Sequence, residues 1–163
     1  MKDARHLETE RLMLRTLAAT DTPFIVELLA DERVRRFLGG PVAAMHRTAT
    51  AKGYFRTEPG EATWLVEGKR NRQPVGLVFI SNHKDGTDSE LSYMFSPSVW
   101  GMGYATEAAR TLLDYGIREM GLVRLVAETQ LANHASRALL ARLGMSELRR
   151  VHRFGAEQVI YSS

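Results

Sequence analysis

The chain has 163 residues, which at roughly 150 residues per domain predicts one domain spanning residues 1–163. It is 44% hydrophobic and 25% charged, an ordinary globular composition, long enough to bury a core without staples. Cysteine is absent, which excludes disulfides, a cysteine nucleophile, thiolate metal sites and iron–sulfur clusters. Lys plus Arg is 22 and Asp plus Glu is 19, a net charge of +3, and only four of the cations are Lys. An arginine excess suits bidentate contacts to phosphate or carboxylate, but simple codon bias is the more economical explanation. The cations fall in small clusters, such as Arg33/Arg35/Arg36, with no run of five, so nucleic-acid binding is not expected. No apolar run approaches the ~20 residues that cross a bilayer, and the first six residues lead into no apolar signal region. The expected location is cytoplasmic, without membrane attachment.

In chain order, the segment 7–15, alternating apolar and polar from Leu12 onward, reads as a first strand. Asp21-Thr22-Pro23 supplies a cap and a first-turn proline for a helix to about Leu29. Asp31 offers a cap for a short piece ending at Gly39-Gly40, and a further helix is expected over 42–56, before Pro59-Gly60. Segments 62–67, 74–81 and 89–95, separated by polar turns, describe an antiparallel meander. A long amphipathic helix is expected over 104–120, a strand over 123–129, a helix over 133–143, and strands over 145–154 and 158–161. The fold class is α/β (α+β): a mixed, mainly antiparallel twisted sheet of about seven strands flanked by about four helices.

The most informative stretch is Trp100-Gly101-Met102-Gly103-Tyr104-Ala105-Thr106-Glu107-Ala108, a strand-to-helix connection with two glycines. Glycine permits positive φ, and the free amides of a helix N-terminus then face a ligand as an anion site. A plain tight turn before a helix fits the glycine spacing equally. A P-loop is excluded because no Gly-Lys-Ser/Thr triplet exists. A dinucleotide fold is disfavoured because the third glycine and the βαβ unit are missing.

Across nearly the whole chain the sequence resembles the GNAT acyl-CoA N-acyltransferases, most closely the RimJ/RimL branch, ribosomal-protein N-acetyltransferase-like. Five segments carry the likeness in order. They are Leu7-Glu8-Thr9-Glu10-Arg11-Leu12-Met13-Leu14-Arg15, Arg36-Phe37-Leu38-Gly39-Gly40, Glu90-Leu91-Ser92-Tyr93, the glycine stretch, and Asn133-His134-Ala135-Ser136 leading to Leu143-Gly144-Met145. The family's pyrophosphate motif falls on Trp100, Gly103 and Ala105, with Trp100 departing from the usual Gln or Arg. The resemblance implies acetyl-CoA binding by Trp100, Gly101, Met102, Gly103, Tyr104, Ala105 and Thr106. It further implies contacts to the pantetheine arm from the backbone of Met94, Phe95 and Ser96, and from Asn133. Phe37, Leu38 and the 42–56 helix fall where the family lines its acceptor pocket.

Acyl transfer to an amine requires loss of an amine proton and departure of a thiolate. Glu90 matches the family's functional glutamate and is the candidate base; a strand glutamate paired with an arginine is the other reading. The tyrosine that many relatives use as thiolate donor is replaced by Leu140. Ser136 is the candidate substitute; alternatively it is a first-turn residue behind an Asn133 N-cap. The five histidines show no paired metal spacing, so metal independence is expected. The expected activity is acetyl transfer from acetyl-CoA to a primary amine, either a protein N-terminus or a small molecule, by direct transfer in a ternary complex. A catalytically silent CoA-binding regulatory module is the alternative, and homodimerisation is compatible with either.

Overall fold

In the computed structural model, residues 6–163 are described, so residues 1–5 of the segment read for a targeting signal lie outside the described residues. Eight strands form one sheet in the order β1-β2-β3-β4-β5-β6-β8-β7. The strands are β1 (His6–Glu8), β2 (Leu12–Arg15), β3 (Ala62–Gly68), β4 (Pro74–Asn82), β5 (Ser89–Phe95), β6 (Leu125–Gln130), β7 (Ser146–Arg153) and β8 (Ala156–Ser162). Five helices flank them: α1 (Thr22–Ala30), α2 (Glu32–Arg35), α3 (Ala44–Gly53), α4 (Tyr104–Arg118) and α5 (His134–Arg142). All neighbouring strands are antiparallel except β5 and β6. The mixed, mainly antiparallel α/β architecture is the one expected.

Strand alternation sends side chains to both faces, and each face is covered by helices. Ile25, Leu28 and Leu29 of α1 and Ala51 of α3 pack with Leu77 and Met94. On the opposite face Ala108, Ala109 and Leu112 of α4 and Leu139 and Leu140 of α5 meet Val78, Ile80 and Leu125. Each fully buried leucine contributes about 1.5–3 kcal/mol through removal from water. Trp64 is buried in this second layer, its ring edge-on to Tyr115 at 5.4 Å.

Three local expectations need correction. The segment read as one opening strand is a hairpin of β1 and β2, because Thr9 folds the chain back: the Leu12 amide donates to Thr9 Oγ1 at 2.9 Å. Asp21 does not cap α1 with its side chain; its carboxylate accepts from Arg15 at 2.8 and 2.9 Å and from the Ala18 amide at 2.7 Å. The helix expected over 42–56 is shorter, and Tyr54 at its end turns onto Phe79, ring centres 5.4 Å apart. Asp31 caps α2 as expected, accepting from the Arg33 and Val34 amides.

Candidate active site

β5 and β6 run parallel but pair only at Ser89↔Leu125 and Glu90↔Val126. Beyond those rungs they separate, because β5 follows β4 to Phe95 while β6 follows β8 to Gln130. Both strands satisfy their outer edges and leave their inner edges to the gap. A cavity of about 1170 Å³ opens there, walled by residues 91–95 on one side and 127–129 on the other. It exceeds the roughly 300–1,000 Å³ of ordinary small-molecule sites and suits a long ligand.

One end of the cavity is the glycine loop. Gly101 and Gly103 have φ of +78° and +79°, and Gly103 is the N-cap of α4. Left-handed backbone at both positions turns the chain sharply enough for the first turn of α4 to face the cavity. Tyr104, Ala105 and Thr106 line it, with Arg110 and Arg142 beside them. Arg142 Nη2 lies 3.3 Å from Thr106 Oγ1, and Arg110 Nη2 donates to the Arg142 carbonyl at 2.9 Å. Two guanidiniums at a helix N-terminus have the chemistry to receive an anion.

This loop is held by the β1–β2 hairpin. Arg11 donates to Glu107 Oε2 at 2.7 Å and to the Met102 carbonyl at 2.8 Å, and its guanidinium lies 4.6 Å from the Tyr104 ring centre. The Thr9 hydroxyl also donates to Glu107, as does the Arg11 amide at 2.9 Å. Burial pushes the Glu107 carboxyl up, but the Thr9 and Arg11 hydrogen bonds outweigh it and the net shift is down. The clamp was not read from the sequence, although Thr9 and Arg11 stand in its opening motif.

Of the residues singled out in the sequence, Met94, Phe95, Trp100 and Gly101 line the cavity, as do Gly103, Tyr104, Ala105 and Thr106. Asn133 and Ser136 line its α5 side, and Phe37 and Leu38 belong to its lining from the α2 side. Ser96, Met102 and Glu90 do not line it. The Ser96 amide is turned back to β4, donating to the Val75 carbonyl at 2.9 Å. Met102 points its side chain outward, half exposed. Trp100 is a brace as well as a lining residue, its indole N–H donating to the Phe95 carbonyl at 3.0 Å.

Glu90 sits at the head of β5, one step behind the cavity wall. In its place Glu128 on β6 faces the cavity, a residue the sequence reading missed. Arg153 donates to both Glu128 oxygens at 2.7 and 2.6 Å, and His83 Nε2 lies 2.8 Å from Oε2. The Asp85 amide donates to His83 Nδ1 at 3.4 Å, which leaves the Nε2 hydrogen for Glu128. The two carboxylates are tuned in opposite directions. Burial pushes Glu90 up, and the negative charge of Glu128 adds to that rise, while nearby His83 opposes it. Burial also acts upward on Glu128, but hydrogen bonds from Arg153 and His83 bring it below its ordinary value. Asp85 and Asp88 are structural partners, the first of Arg149 and Arg153 and the second of Arg124, bidentate at 2.9 Å.

His83, Glu90 and Glu128 bring potential ligand atoms within 4.8 Å of one another, a convergence that histidine spacing did not reveal. Arg153 occupies the same carboxylate edge that a cation needs, so the charge there is already balanced. Turnover is therefore expected to be unchanged after exhaustive chelation. Activity lost on chelation and restored by zinc or magnesium, in a thiol-release assay, overturns that expectation.

Ser136 Oγ lies 2.5 Å from Tyr93 Oη, and both residues line the cavity. Asn133 caps α5 through its side-chain oxygen, which accepts from the Ser136 amide at 3.2 Å. Leu140, at the position where many relatives carry a tyrosine, is buried in the core at 1% exposure.

The profile described as an acetyltransferase (GNAT) domain matches residues 11–146. The chain belongs to the GNAT acetyltransferase family. It is 29% identical over 160 residues to the Bacillus subtilis protein YkkB, covering 95% of this chain and 93% of that one. It is 40% identical over 155 residues to the Aspergillus fumigatus FsC-acetyl coenzyme A-N(2)-transacetylase, covering 87% of this chain and 65% of that protein. The crystal structure of an acetyltransferase from Agrobacterium tumefaciens superposes with a TM-score of 0.86 at 25% identity, covering 100% and 96% of the two chains. The spermidine N-acetyltransferase of Vibrio cholerae, solved with CoA and spermine, shares the fold at 19% identity, with a TM-score of 0.77 and 94% coverage of each chain. The chain is thus a GNAT N-acetyltransferase, and enzymes of this family use acetyl-CoA. In this GNAT domain the Glu107 tether fixes the glycine loop, while the β5–β6 separation opens the long groove beside it.

Proposed function

We propose that the enzyme transfers the acetyl group of acetyl-CoA directly to a primary amine, on a small molecule or at a protein N-terminus, in the cytoplasm. One continuous cavity carries this reading. It joins the anion site of α4 to the Ser136–Tyr93 hydroxyls and to Glu128. Its residues fit the donor: the loop amides, Arg110 and Arg142 match a pyrophosphate, and the inner edge of β5 with Asn133 matches an amide-bearing arm. When bound, acetyl-CoA supplies an activated acyl group whose thiolate leaves readily, since thiols ionise near pH 8.5.

The chain's own residues do the rest. Glu128, held ionised by Arg153 and His83, orients the acceptor's amine at the cavity wall as a hydrogen-bond acceptor. Glu90, with its raised proton affinity, receives the amine proton through a relaying water, which its position behind the wall requires. Burial raises the Tyr93 hydroxyl above its ordinary pKa, against the opposing Ser136 hydrogen bond, so it stays protonated with a hydrogen available for Ser136. Ser136 then keeps its own hydrogen for the departing sulfur. This pair supplies a donor in the absence of a tyrosine at position 140.

Ser136→Ala is expected to lower kcat about tenfold, the order of a single hydrogen bond to a charged group, with little recovery at high pH. Full activity in that variant removes Ser136 from the reaction. Leu140 favours the silent CoA-binding module as a second reading, and one paired measurement separates the two. Acetyl-CoA at 100 times its Kd should add about 2.7 kcal/mol of apparent stability in a thermal shift, and an amine panel should then release thiol. A shift without thiol release leaves the module; no shift with acetyl-CoA overturns both.

A further inference from the structure

Three arginines stand together at α2 and the turn that follows it, and their partners differ. Arg33 is tied to Asp31, with Nη2 2.9 Å from Oδ2. Arg35 shapes the turn, donating from Nε to the Gly40 carbonyl at 3.0 Å and from Nη2 to that of Leu38 at 2.5 Å. Arg36 carries no ion pair among the described residues, and its guanidinium lies 5.2 Å from the centre of the Phe37 ring. All the same, Arg36 lines the cavity.

Its position relative to the acidic wall follows from one hydrogen bond. Gln130 Nε2 donates to the Phe37 carbonyl at 3.3 Å, fixing the Phe37–Leu38 peptide, one residue past Arg36, over the end of β6. Glu128 and Gln130 share a face of that strand by its two-residue period and stand roughly 7 Å apart. Arg36 and Glu128 both line the cavity, and an extended arginine side chain rooted there is long enough to cover that separation. The acceptor region therefore pairs Glu128 with a cation that has no internal counter-charge. Because Arg153 already balances the Glu128 charge, a polycation gains little there and meets Arg36 as a like charge.

Building on the acetyltransferase reading above, we infer that the acceptor is a zwitterion: a primary amine with a carboxylate a few bonds away, its anionic end received by Arg36. Arginine suits this end because its planar fork takes both oxygens of a carboxylate, and the Phe37 ring orients the guanidinium. The subsite selects an amino-acid-like acceptor over a polyamine or an uncharged amine.

The test compares acceptors differing in the anionic group: alanine against alaninamide, 2-aminoethyl phosphate against ethanolamine, and spermidine. Each is assayed by thiol release with wild type, Arg36→Gln and Arg36→Lys. Arg36 is exposed and outside helix and strand, so both variants should fold. Wild type should prefer alanine to alaninamide in kcat/KM. Arg36→Gln should cut that preference about tenfold, mainly through KM for the acid, and Arg36→Lys should restore part of it. Comparing the ratio between enzymes cancels the differing amine pKa values of acid and amide. A preference for the phosphate pair that also depends on Arg36 replaces carboxylate with phosphate as the anion, overturning that part of the assignment. A ratio unmoved by Arg36→Gln, or spermidine as the best acceptor, overturns the subsite. Thiol release with none of the panel, while acetyl-CoA still stabilises the protein, also overturns it and leaves donor binding standing; no stabilisation by acetyl-CoA fails the underlying reading instead.

Discussion

Glu90→Gln is expected to lower kcat by about 10²–10⁴-fold, the usual range for loss of a general base, while acetyl-CoA affinity changes little. Glu90 lies behind the wall and does not touch the cavity, so donor binding has no reason to change. The pH profile gives the sharper readout. A base must be deprotonated, and burial with the nearby Glu128 charge raises Glu90, so the acid limb of wild-type activity should lie above the ordinary carboxylate range. That limb should vanish in Glu90→Gln, and the deficit should shrink as pH rises and the amine deprotonates unaided. For an α-amine near pKa 7.8 the recovery should begin at lower pH than for a lysine side chain near 10.4. A variant at full speed near pH 7 shows instead that the amine arrives neutral or that another group takes its proton.

Gly103→Val should weaken acetyl-CoA binding at least tenfold by calorimetry. The dominant cause is backbone geometry: φ is +79°, a region that a β-branched residue rarely enters. A Cβ at this position meets Arg11 Nη2 at 3.3 Å, the tip of a flexible side chain, so crowding is secondary to strain. The strain is relieved by rotating the loop, which swings the first amides of α4 off the anion site. The same rotation loosens the Arg11 contacts to Met102 and Glu107, so some loss of stability should accompany the affinity change. Unchanged affinity in a folded variant removes the loop from the donor site.

The glycine loop was legible because its chemistry is local: two glycines, a helix start and small residues lie within one short stretch. Asn133 and Ser136 were legible for the same reason, as a cap and its first turn. The acidic centre was harder, because it is assembled from β5, β6, β7 and the turn after β4. Glu128 stands in a run that reads simply as a buried strand, and nothing local announces that β6 leaves β5 after two rungs. His83 and Arg153 are distant in sequence from the carboxylate they hold. Tyr93 was visible in its motif, yet its partnership with Ser136 depends on strand and helix meeting across the cavity. Likewise the opening hairpin was read as one strand because Thr9 and Arg11 find their partner, Glu107, almost a hundred residues later.

The two-rung contact between β5 and β6 has a mechanical meaning for the whole molecule. It divides the sheet into a five-stranded panel, β1 to β5, and a three-stranded panel of β6, β8 and β7. Few main-chain bonds cross that seam, so its strength rests on what bridges it. Helix α4 lies across it like a lintel, its apolar side seated on Ile80 of one panel and Leu125 of the other. The lintel begins at the glycine loop and the seam widens into the groove beside it. A molecule lying in that groove, anchored at the head of α4 as proposed, would act as mortar as well as reactant, tying together two panels that the backbone itself leaves only lightly joined.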